Sequence, residues 1–214
     1  MKQQRILIYS GGTLGAWALE DTRPEDVYVG ADRGALFLVQ QGFKPDIAMG
    51  DFDSVNEDEL ISIRHNSKLL VSCDPVMKDL SDTEMAFSWA LDQNPEEIIM
   101  YGALGTRFDH SLANIHLLIQ GVHKQINCTI VDAHNRVRLI NESVSLKQSD
   151  TFSHVSLLPF TSQVTGISLH GFQYPLHEAT LTIGQSLGIS NRIIEPLGHI
   201  QIKQGMLLVI ESKD

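Results

Sequence analysis

Short apolar runs alternate with stretches of helical periodicity over the first two thirds of the chain. The runs are rich in Val and Ile, which is typical of strands covered on both faces. They predict strands at Arg5–Tyr9, Val27–Gly30, Asp46–Met49, Lys68–Val71, Ile98–Tyr101 and Asn127–Val131. The periodic stretches predict helices at Ala35–Gln41, Glu57–His65, Thr83–Asp92 and Leu112–His123. Because the two kinds of element alternate, we expect a mostly parallel α/β sheet domain.

The pattern changes near Asn141, beyond which no convincing helical periodicity is found. Short apolar runs separated by Gly, Pro, Asn and Ser predict strands at Ser143–Leu146, His154–Leu158, Val164–Leu169, Ala179–Ile183, Ile193–Ile194, His199–Ile202 and Met206–Glu211. Many short strands with frequent turns favour a small antiparallel β-sandwich. The predicted domains are therefore an α/β domain at 1–140 and a β-sandwich domain at 141–214.

Composition narrows the classes of partner and compartment. A chain of 214 residues with 43% hydrophobic residues can form a substantial core. Its formal net charge of -10 argues against a nucleic-acid partner, which would require clustered Lys and Arg. No segment approaches the roughly 20 apolar residues that span a bilayer, and the early apolar run Ile6–Tyr9 is too short for a signal peptide. We therefore expect a cytoplasmic protein without membrane contact, with Cys73 and Cys128 reduced.

Glycine-containing loops follow four of the predicted strands. They begin at Gly11-Gly12, Gly30, Gly50 and Gly102. The carboxyl ends of parallel strands share one edge of a sheet, and ligands bind at that edge. Neither G-x-x-x-x-G-K-[ST] nor G-x-G-x-x-G occurs, so a bound nucleotide would be held in another way.

The loop Gly50–Ser54 carries two carboxylates, Asp51 and Asp53, at positions i and i+2. Side chains so spaced in a turn can converge on one hard cation, and Mg²⁺ commonly takes one or two carboxylates together with substrate phosphates. The alternative is a solvated turn. The other loops at the same edge favour the metal site.

A second acidic segment runs from Lys78 to Glu84, at the start of a predicted helix. Asp82 could be a third metal ligand, but Ser81, Asp82 and Glu84 also fit helix capping, and both interpretations stay open. Lys78 could reach a phosphate oxygen as a point charge.

The loop Gly102–His110 also precedes a helix. Its glycines allow the backbone to approach phosphates closely, and a helix N-terminus favours anions. Arg107 could bind a phosphate in bidentate fashion. Asp109 and His110 could instead cap the helix and order the loop, and we favour a structural role for His110. The histidines lack zinc-ligand spacing such as H-E-x-x-H.

Taken together, these segments resemble the thiamine pyrophosphokinase family over essentially the whole chain. The matching stretches are Ala31–Gly34, Pro45–Ser54, Lys78–Ala86, Gly102–Asn114 and Gly188–Asn191. The resemblance implies an N-terminal α/β catalytic domain, a C-terminal β-sandwich and a homodimer with thiamine near the subunit interface. It also implies transfer of diphosphate from ATP to the thiamine hydroxyl, giving thiamine diphosphate and AMP.

The resemblance also implies roles for individual residues. Asp51, Asp53 and Asp82 would hold Mg²⁺, with Asp32 near the substrate or metal. The predicted ATP- and phosphate-binding residues are Gly11, Gly12, Lys78, Arg107, Asp109, His110 and Asn114. Ser190 and Asn191 would contact thiamine across the dimer. Two departures are Thr106, where the family often has glycine, and Leu80-Ser81, where it often has Lys-Thr.

Three rival functions remain at this point. Asp51–Val55 superficially matches the D-x-D-x-[TV] motif of haloacid-dehalogenase-like phosphatases, although that motif follows the first strand of its fold and this one follows the third predicted strand. A pyrophosphokinase for 6-hydroxymethylpterin and a non-catalytic nucleotide sensor are the others. Phe172 and Tyr174 could stack on a thiamine ring, but we favour a place in the sandwich core for both.

Overall fold

The computed structural model describes residues 4–72 and 80–214. The chain forms two compact units, Met1–Ala133 and His134–Asp214. This division falls earlier than the predicted boundary at 140/141 because a strand that was not predicted, Asn135–Ile140, belongs to the second unit. Its Arg136 and Arg138 interrupt the apolar pattern that identified the other strands.

The described residues of the first unit form six parallel strands in the order β4-β3-β2-β1-β5-β6. Their bounds are β1 Arg5–Tyr9, β2 Val27–Ala31, β3 Ile47–Gly50, β4 Leu69–Ser72, β5 Glu97–Tyr101 and β6 Asn127–Val131. The central strand β1 is buried along its whole length, which explains its continuous apolar sequence. The predicted parallel α/β sheet is confirmed.

Four α-helices connect these strands within the described residues: α1 Arg33–Gln40, α2 Glu57–Asn66, α3 Asp82–Asp92 and α4 Phe108–Lys124. A short 3-10 helix, Ala16–Leu19, follows β1. Local signals fix the helix starts: Asn56 forms a capping box with Glu59, and Ser81 caps α3. None of the described helices has the length and apolarity needed to cross a bilayer.

Helix α1 lies unusually close to the central strand. A Cβ on Gly34 would stand 1.8 Å from the carbonyl oxygen of Tyr9, so only glycine fits at the start of this helix. The buried Tyr9 ring stacks on Tyr101, with 5.1 Å between ring centroids. This packing fixes the ends of β1 and β5 relative to each other.

The second unit is a β-sandwich. One antiparallel sheet has the order β7-β13-β9 and the other the order β11-β10-β12-β8. The strands are β7 Asn135–Ile140, β8 Val144–Lys147, β9 His154–Pro159, β10 Gln163–His170, β11 Ala179–Thr182, β12 Leu197–Gln201 and β13 Leu207–Ser212. Residues of both sheets, such as Leu157, Val209, Leu169 and Ile200, share one buried core. The predicted antiparallel sandwich is confirmed.

Two predictions within this unit need correction. Ile193–Ile194 was predicted as a strand, but Ile193 forms only an isolated bridge with Phe172. Phe172 lies in the core as expected, whereas Tyr174 is 60% exposed.

Cys128, in the first unit, is a buried free thiol, and burial raises its pKa to about 12. Cys73 lies outside the described residues.

A buried ion pair anchors the start of β1. The Arg5 guanidinium donates to both Asp26 carboxylate oxygens, at 2.8 and 2.7 Å, and to Asp21 at 2.8 Å. The side chains of Arg5 and Asp26 are only 6% and 2% exposed. Removing either partner would leave a charge in a poorly solvated site.

We therefore predict that Arg5→Met lowers the free energy of unfolding by about 3–5 kcal/mol, because Asp26 loses its counter-ion. Urea unfolding followed by tryptophan fluorescence would measure this, since Trp17 and Trp89 both lie in the first unit. The control is Lys124→Met, which breaks the exposed pair with Asp92 and should cost about 0–1 kcal/mol. Equal costs for the two variants would contradict a stabilising role for the buried pair.

Candidate active site

A crevice opens in the first unit where the strand order reverses. Strand β1 lies between β2 and β5, so the chain leaves β1 and β5 toward opposite sides of the sheet. Ligands in open α/β folds bind at such a switch point, beyond the carboxyl ends of the strands. Here the cleft has a volume of about 310 Å³ and is lined by the loop after β1 (Ser10–Gly12), the loop after β5 (Gly102–Arg107) and the start of α3.

Backbone hydrogen bonds hold the two loops together at the base of the cleft. The amide of Ser10 donates to the carbonyl of Tyr101 at 2.8 Å, and the amide of Gly12 donates to that of Gly102 at 2.9 Å. A Cβ on Gly12 would stand 2.3 Å from the Gly102 oxygen, so this approach requires glycine. Gly102 itself has φ +67°, a conformation that glycine adopts readily.

Two side chains of α4 order the loop after β5. The Ser111 hydroxyl accepts from the Gly105 amide at 3.0 Å, and the Asn114 amide group donates to the Ala103 carbonyl at 2.7 Å. Both side chains are buried and line the cleft. Asn114, predicted to bind ATP, therefore shapes the loop directly, and its contact with ATP stays a prediction.

The mouth of the cleft carries a mixed charge group. Arg107 donates to the Asp109 carboxylate at 2.7 Å, and both side chains are exposed. The Arg107 guanidinium lowers the pKa of Asp109. His110 lines the cleft, with its Nε2 4.0 Å from the same carboxylate. The side chain of Arg107, the N-cap residue of α4, makes no capping hydrogen bond among the described residues, a geometry suited to an anion.

Three carboxylates converge beside this cleft. Asp32 follows β2, and Asp51 and Asp53 follow β3. Each offers one oxygen, and these three oxygens all lie within 4.8 Å of one another. Hard oxygen ligands at this separation are the donor set of a small divalent cation.

Phe52 forces the two aspartates of the β3 loop outward. Its side chain is 5% exposed and packs in a cluster with Leu36 and Ile63. Its φ of 57° is rare for an aromatic residue and is held by this burial. The aspartates on either side consequently lie at the surface of the edge.

Asp32 is the most constrained member of the group. Its backbone has φ 50° and ψ −120°, and its Oδ2 accepts from the Ser54 hydroxyl at 2.5 Å. Its Oδ1 is buried with no hydrogen-bond partner among the described residues. Burial, with smaller contributions from Asp82 and Asp53, raises the pKa of Asp32. A bound cation would satisfy the orphaned oxygen and relieve this electrostatic repulsion.

Asp82 lies beside the triad rather than within it. Ser81 occupies the N-cap of α3, so Asp82 is the first helical residue. Its Oδ1 lies 3.2 Å from the position that a Cβ on Gly50 would take. The next residue, Thr83, donates to the Ser10 hydroxyl at 3.0 Å and ties α3 to the β1 loop. Asp82 as a metal ligand stays a prediction, and Lys78 lies outside the described residues.

The predicted thiamine contacts lie in the second unit. Ser190 is exposed, has φ 58°, and its amide donates to the Ser156 hydroxyl at 3.0 Å. Asn191 is 5% exposed, and its side chain pairs with the backbone of Tyr174, accepting at 3.0 Å and donating at 2.7 Å. Asn191 therefore fixes the segment that presents the exposed Tyr174 ring.

The two units correspond to two domains of one family. The family models described as "Thiamin pyrophosphokinase, catalytic domain" and "Thiamin pyrophosphokinase, vitamin B1 binding domain" match residues 22–130 and 142–207. The thiamine pyrophosphokinase of Bacillus subtilis is 32% identical over 194 residues, which cover 90% of this chain and 90% of that protein. The chain belongs to the thiamine pyrophosphokinase family. The resemblance inferred from the motifs is thus confirmed.

Solved structures of this family share the fold. The crystal structure of the Bacillus subtilis thiamine pyrophosphokinase has a TM-score of 0.92 and 31% identity, covering 98% of this chain and 99% of that chain. That of the Geobacillus thermodenitrificans enzyme has a TM-score of 0.89 and 31% identity, covering 98% of each chain. Since thiamine pyrophosphokinases transfer a diphosphoryl group, this chain is an enzyme of the transferase class.

Several residues that line the cleft or contact its carboxylates were not predicted from the sequence. Ser10, Thr83 and Ser111 line it, and Ser54 binds Asp32. Ser10 follows β1 directly, so the strand-end argument could have found it. Ser111 sits inside the first turns of α4 and carries no sequence signal that separates it from a surface serine. Thr106, the departure from the family pattern, also lines the cleft.

The burial of Asp32, with a smaller contribution from neighbouring carboxylates, should reduce stability when no cation is bound. A carboxyl whose pKa is raised in the folded state binds protons more strongly there, so its contribution favours folding at low pH and is lost as pH rises through the raised pKa. We therefore predict that Asp32→Asn increases the melting temperature at neutral pH in EDTA. We also predict that adding Mg²⁺ raises the melting temperature of this variant by less than it raises that of the wild type. Differential scanning calorimetry with and without Mg²⁺ would measure both effects.

The control for that comparison is Glu96→Gln, which removes one negative charge at an exposed position of the same unit and should change neither quantity appreciably. A loss of stability in Asp32→Asn without metal would refute the idea that the buried Asp32 carboxylate destabilises the folded protein.

Proposed function

We propose that this chain transfers diphosphate from ATP to the hydroxyl of thiamine, forming thiamine diphosphate and AMP. The observation that carries the proposal is the convergence of Asp32, Asp51 and Asp53 beside the cleft at the switch point. Family membership supports the choice of substrates, since the matched relatives are named for this activity.

The cleft suits a triphosphate. In the proposed reaction the thiamine hydroxyl oxygen forms a bond to the β-phosphorus of ATP and its proton is released. The bond from that phosphorus to the α,β-bridging oxygen breaks, and AMP leaves. Such transfer depends mainly on alignment and charge neutralisation. Gly12, Gly105 and the start of α4 line the cleft, and Arg107 at its mouth supplies a positive charge for the phosphates.

The carboxylates fit a divalent cation, which we propose to be Mg²⁺. Asp32, Asp51 and Asp53 would hold it, and Asp82 lies close enough to Asp32 to raise its pKa and to take part. The orphaned Asp32 Oδ1 is the feature that a cation would satisfy. When bound, Mg²⁺ supplies charge neutralisation for the triphosphate and the developing transition state. The buried Phe52 keeps Asp51 and Asp53 aligned for this role.

Thiamine binding is proposed for the face of the second unit around Ser190 and Asn191. Exposed apolar side chains surround these residues in the sequence: Tyr174, Ile183, Leu187, Ile189 and Ile194 are 46–62% exposed. An aromatic side chain on such a face suits a cationic heterocycle. We propose that the protein works as a cytoplasmic homodimer, which would cover part of this apolar surface.

If the protein is a dimer, its sedimentation coefficient should correspond to two chains. A charge introduced among the exposed apolar side chains should lower that coefficient. Leu187→Asp introduces a carboxylate at a 62% exposed position and should shift the equilibrium toward monomer in sedimentation velocity. Leu80→Asp, at a 42% exposed position of the first unit, is the comparison. A wild-type protein that sediments as a monomer at all micromolar concentrations would rule the dimer out.

One assay separates this function from its rivals. The protein is incubated with ATP, Mg²⁺ and either thiamine or 6-hydroxymethylpterin, and AMP, inorganic phosphate and the diphosphate ester are quantified. AMP and thiamine diphosphate in equal amounts support the proposal. AMP formed only with the pterin would identify the other pyrophosphokinase, phosphate release from simple esters would identify a phosphatase, and ATP binding without AMP would identify a sensor.

Asp53→Asn should reduce kcat by at least about 100-fold without lowering the melting temperature in EDTA below that of the wild type. The expected loss corresponds to removing a group that stabilises developing charge, worth about 2.7–4 kcal/mol. Asp53 is exposed, so its replacement creates no cavity. The matched control is Asp150→Asn, at an exposed position of the second unit. Normal turnover of Asp53→Asn in Mg²⁺ would count against the metal assignment.

A further inference from the structure

Charged side chains occupy core-facing positions at one end of the sandwich. Across the pair of β7 and β13, Arg136 stands opposite Glu211 and Arg138 stands opposite Val209. Glu211 shares a strand face with Leu207 and Val209, which belong to the buried core. Because opposite residues of an antiparallel pair lie on one face, both arginines point to the side on which the core lies.

The charges of this group do not balance. Glu211 is 3% exposed and accepts from Arg138 and, at 3.5 Å, from Arg136. Two guanidinium groups thus share one carboxylate. The Nε of Arg138 is in addition a buried donor with no acceptor among the described residues. Burying a donor without a partner is unfavourable, so a purely structural ion pair would be expected to satisfy it.

Two neighbouring clefts of the second unit meet at this group. Their volumes are about 330 and 370 Å³, and they share Lys147, Gln148, Ser149 and Glu211. One is lined also by Arg192, and the other by Arg136 and Arg138. The charged residues lining the two clefts are thus four cations and one anion, a formal sum of +3 in a chain whose net charge is -10.

We propose that this double cleft, defined by Arg136, Arg138, Lys147, Arg192 and Glu211, binds a small phosphate-type oxyanion. An oxyanion would accept from the orphaned Arg138 Nε and neutralise the surplus positive charge. Arginine is suited to this role because its planar fork matches the spacing of phosphate oxygens. A cation–π contact with Phe152 helps to position Arg136, because the guanidinium lies 5.0 Å from the centroid of the Phe152 ring. The site uses none of the residues of the proposed transfer reaction.

The Arg138 Nε–H resonance reports on this site specifically. In ¹H–¹⁵N spectra, titration with inorganic phosphate should shift that resonance saturably, whereas sodium chloride at equal ionic strength should not. Its assignment comes from its loss in Arg138→Lys. A parallel titration with methyl phosphate distinguishes the source: a shift with both probes indicates a site that accepts phosphate esters, and a shift with inorganic phosphate alone indicates a site for the free ion.

Charge substitutions give the second line of test. Lys147→Gln should weaken phosphate binding about fivefold or more, with diphosphate transfer and melting temperature unchanged, because Lys147 is exposed. Lys203→Gln, whose lysine pairs with Glu178 and lines neither cleft, should bind phosphate like the wild type. Glu211→Gln, if folded, should bind more tightly, since it removes the competing carboxylate.

The proposal is wrong if the Arg138 resonance responds to phosphate and chloride alike, or if Lys147→Gln and Lys203→Gln bind phosphate with the same affinity. Phosphate binding that disappears only in Arg107→Gln would likewise place the anion in the cleft of the first unit and overturn the assignment. These readouts do not depend on transfer activity, so they stand whether or not the proposed reaction is confirmed.

Discussion

The burial of Asp32 beside other carboxylates is the constraint around which the first unit is organised. One carboxylate oxygen each of Asp32, Asp51 and Asp53 lies within 4.8 Å of the other two, and Asp82 is nearby. The protein as a whole is already strongly acidic. In an unfolded chain these carboxylates would be hydrated and far apart. The folded chain resists this with buried apolar contacts: Phe52 is packed away in an unfavourable backbone conformation, and Gly34 brings α1 against β1. Hydrophobic burial thus supplies the free energy that keeps the acidic groups ready for a cation.

The periodicity of the chain was sufficient to predict the layout of this edge. Short Val- and Ile-rich runs located every strand of the first sheet, and the rule that ligands bind beyond the carboxyl ends of parallel strands located the loops. The same patterns identified the sandwich, although Arg136 and Arg138 concealed β7. Alternation of charged and apolar residues in six positions does not distinguish an inward-facing ion pair from a solvated loop until the partner strand is known.

The sequence could not predict which side chains meet. Ser54 binds Asp32 across 22 positions of sequence, and Arg136 meets Glu211 across 75. Such pairs depend on strand neighbours and register, which no local pattern encodes. Asn191 is a second example of a contact that the sequence could not predict. Its motif indicated a ligand contact, whereas in the fold its amide group is engaged with the backbone of Tyr174. Its contact with thiamine stays a prediction, because tertiary packing sets the partner of each atom.

The reversal of strand order between β1 and β5 also affects how the first unit folds. The two lips of the crevice come from segments far apart in the chain, joined by the Ser10–Tyr101 and Gly12–Gly102 hydrogen bonds. These bonds between the two lips form only when β5 docks against β1, a pairing of high sequence separation that is slow to nucleate. The cleft between the two lips is therefore complete only once this pairing has formed, and a ligand that contacts both lips would stabilise the paired strands.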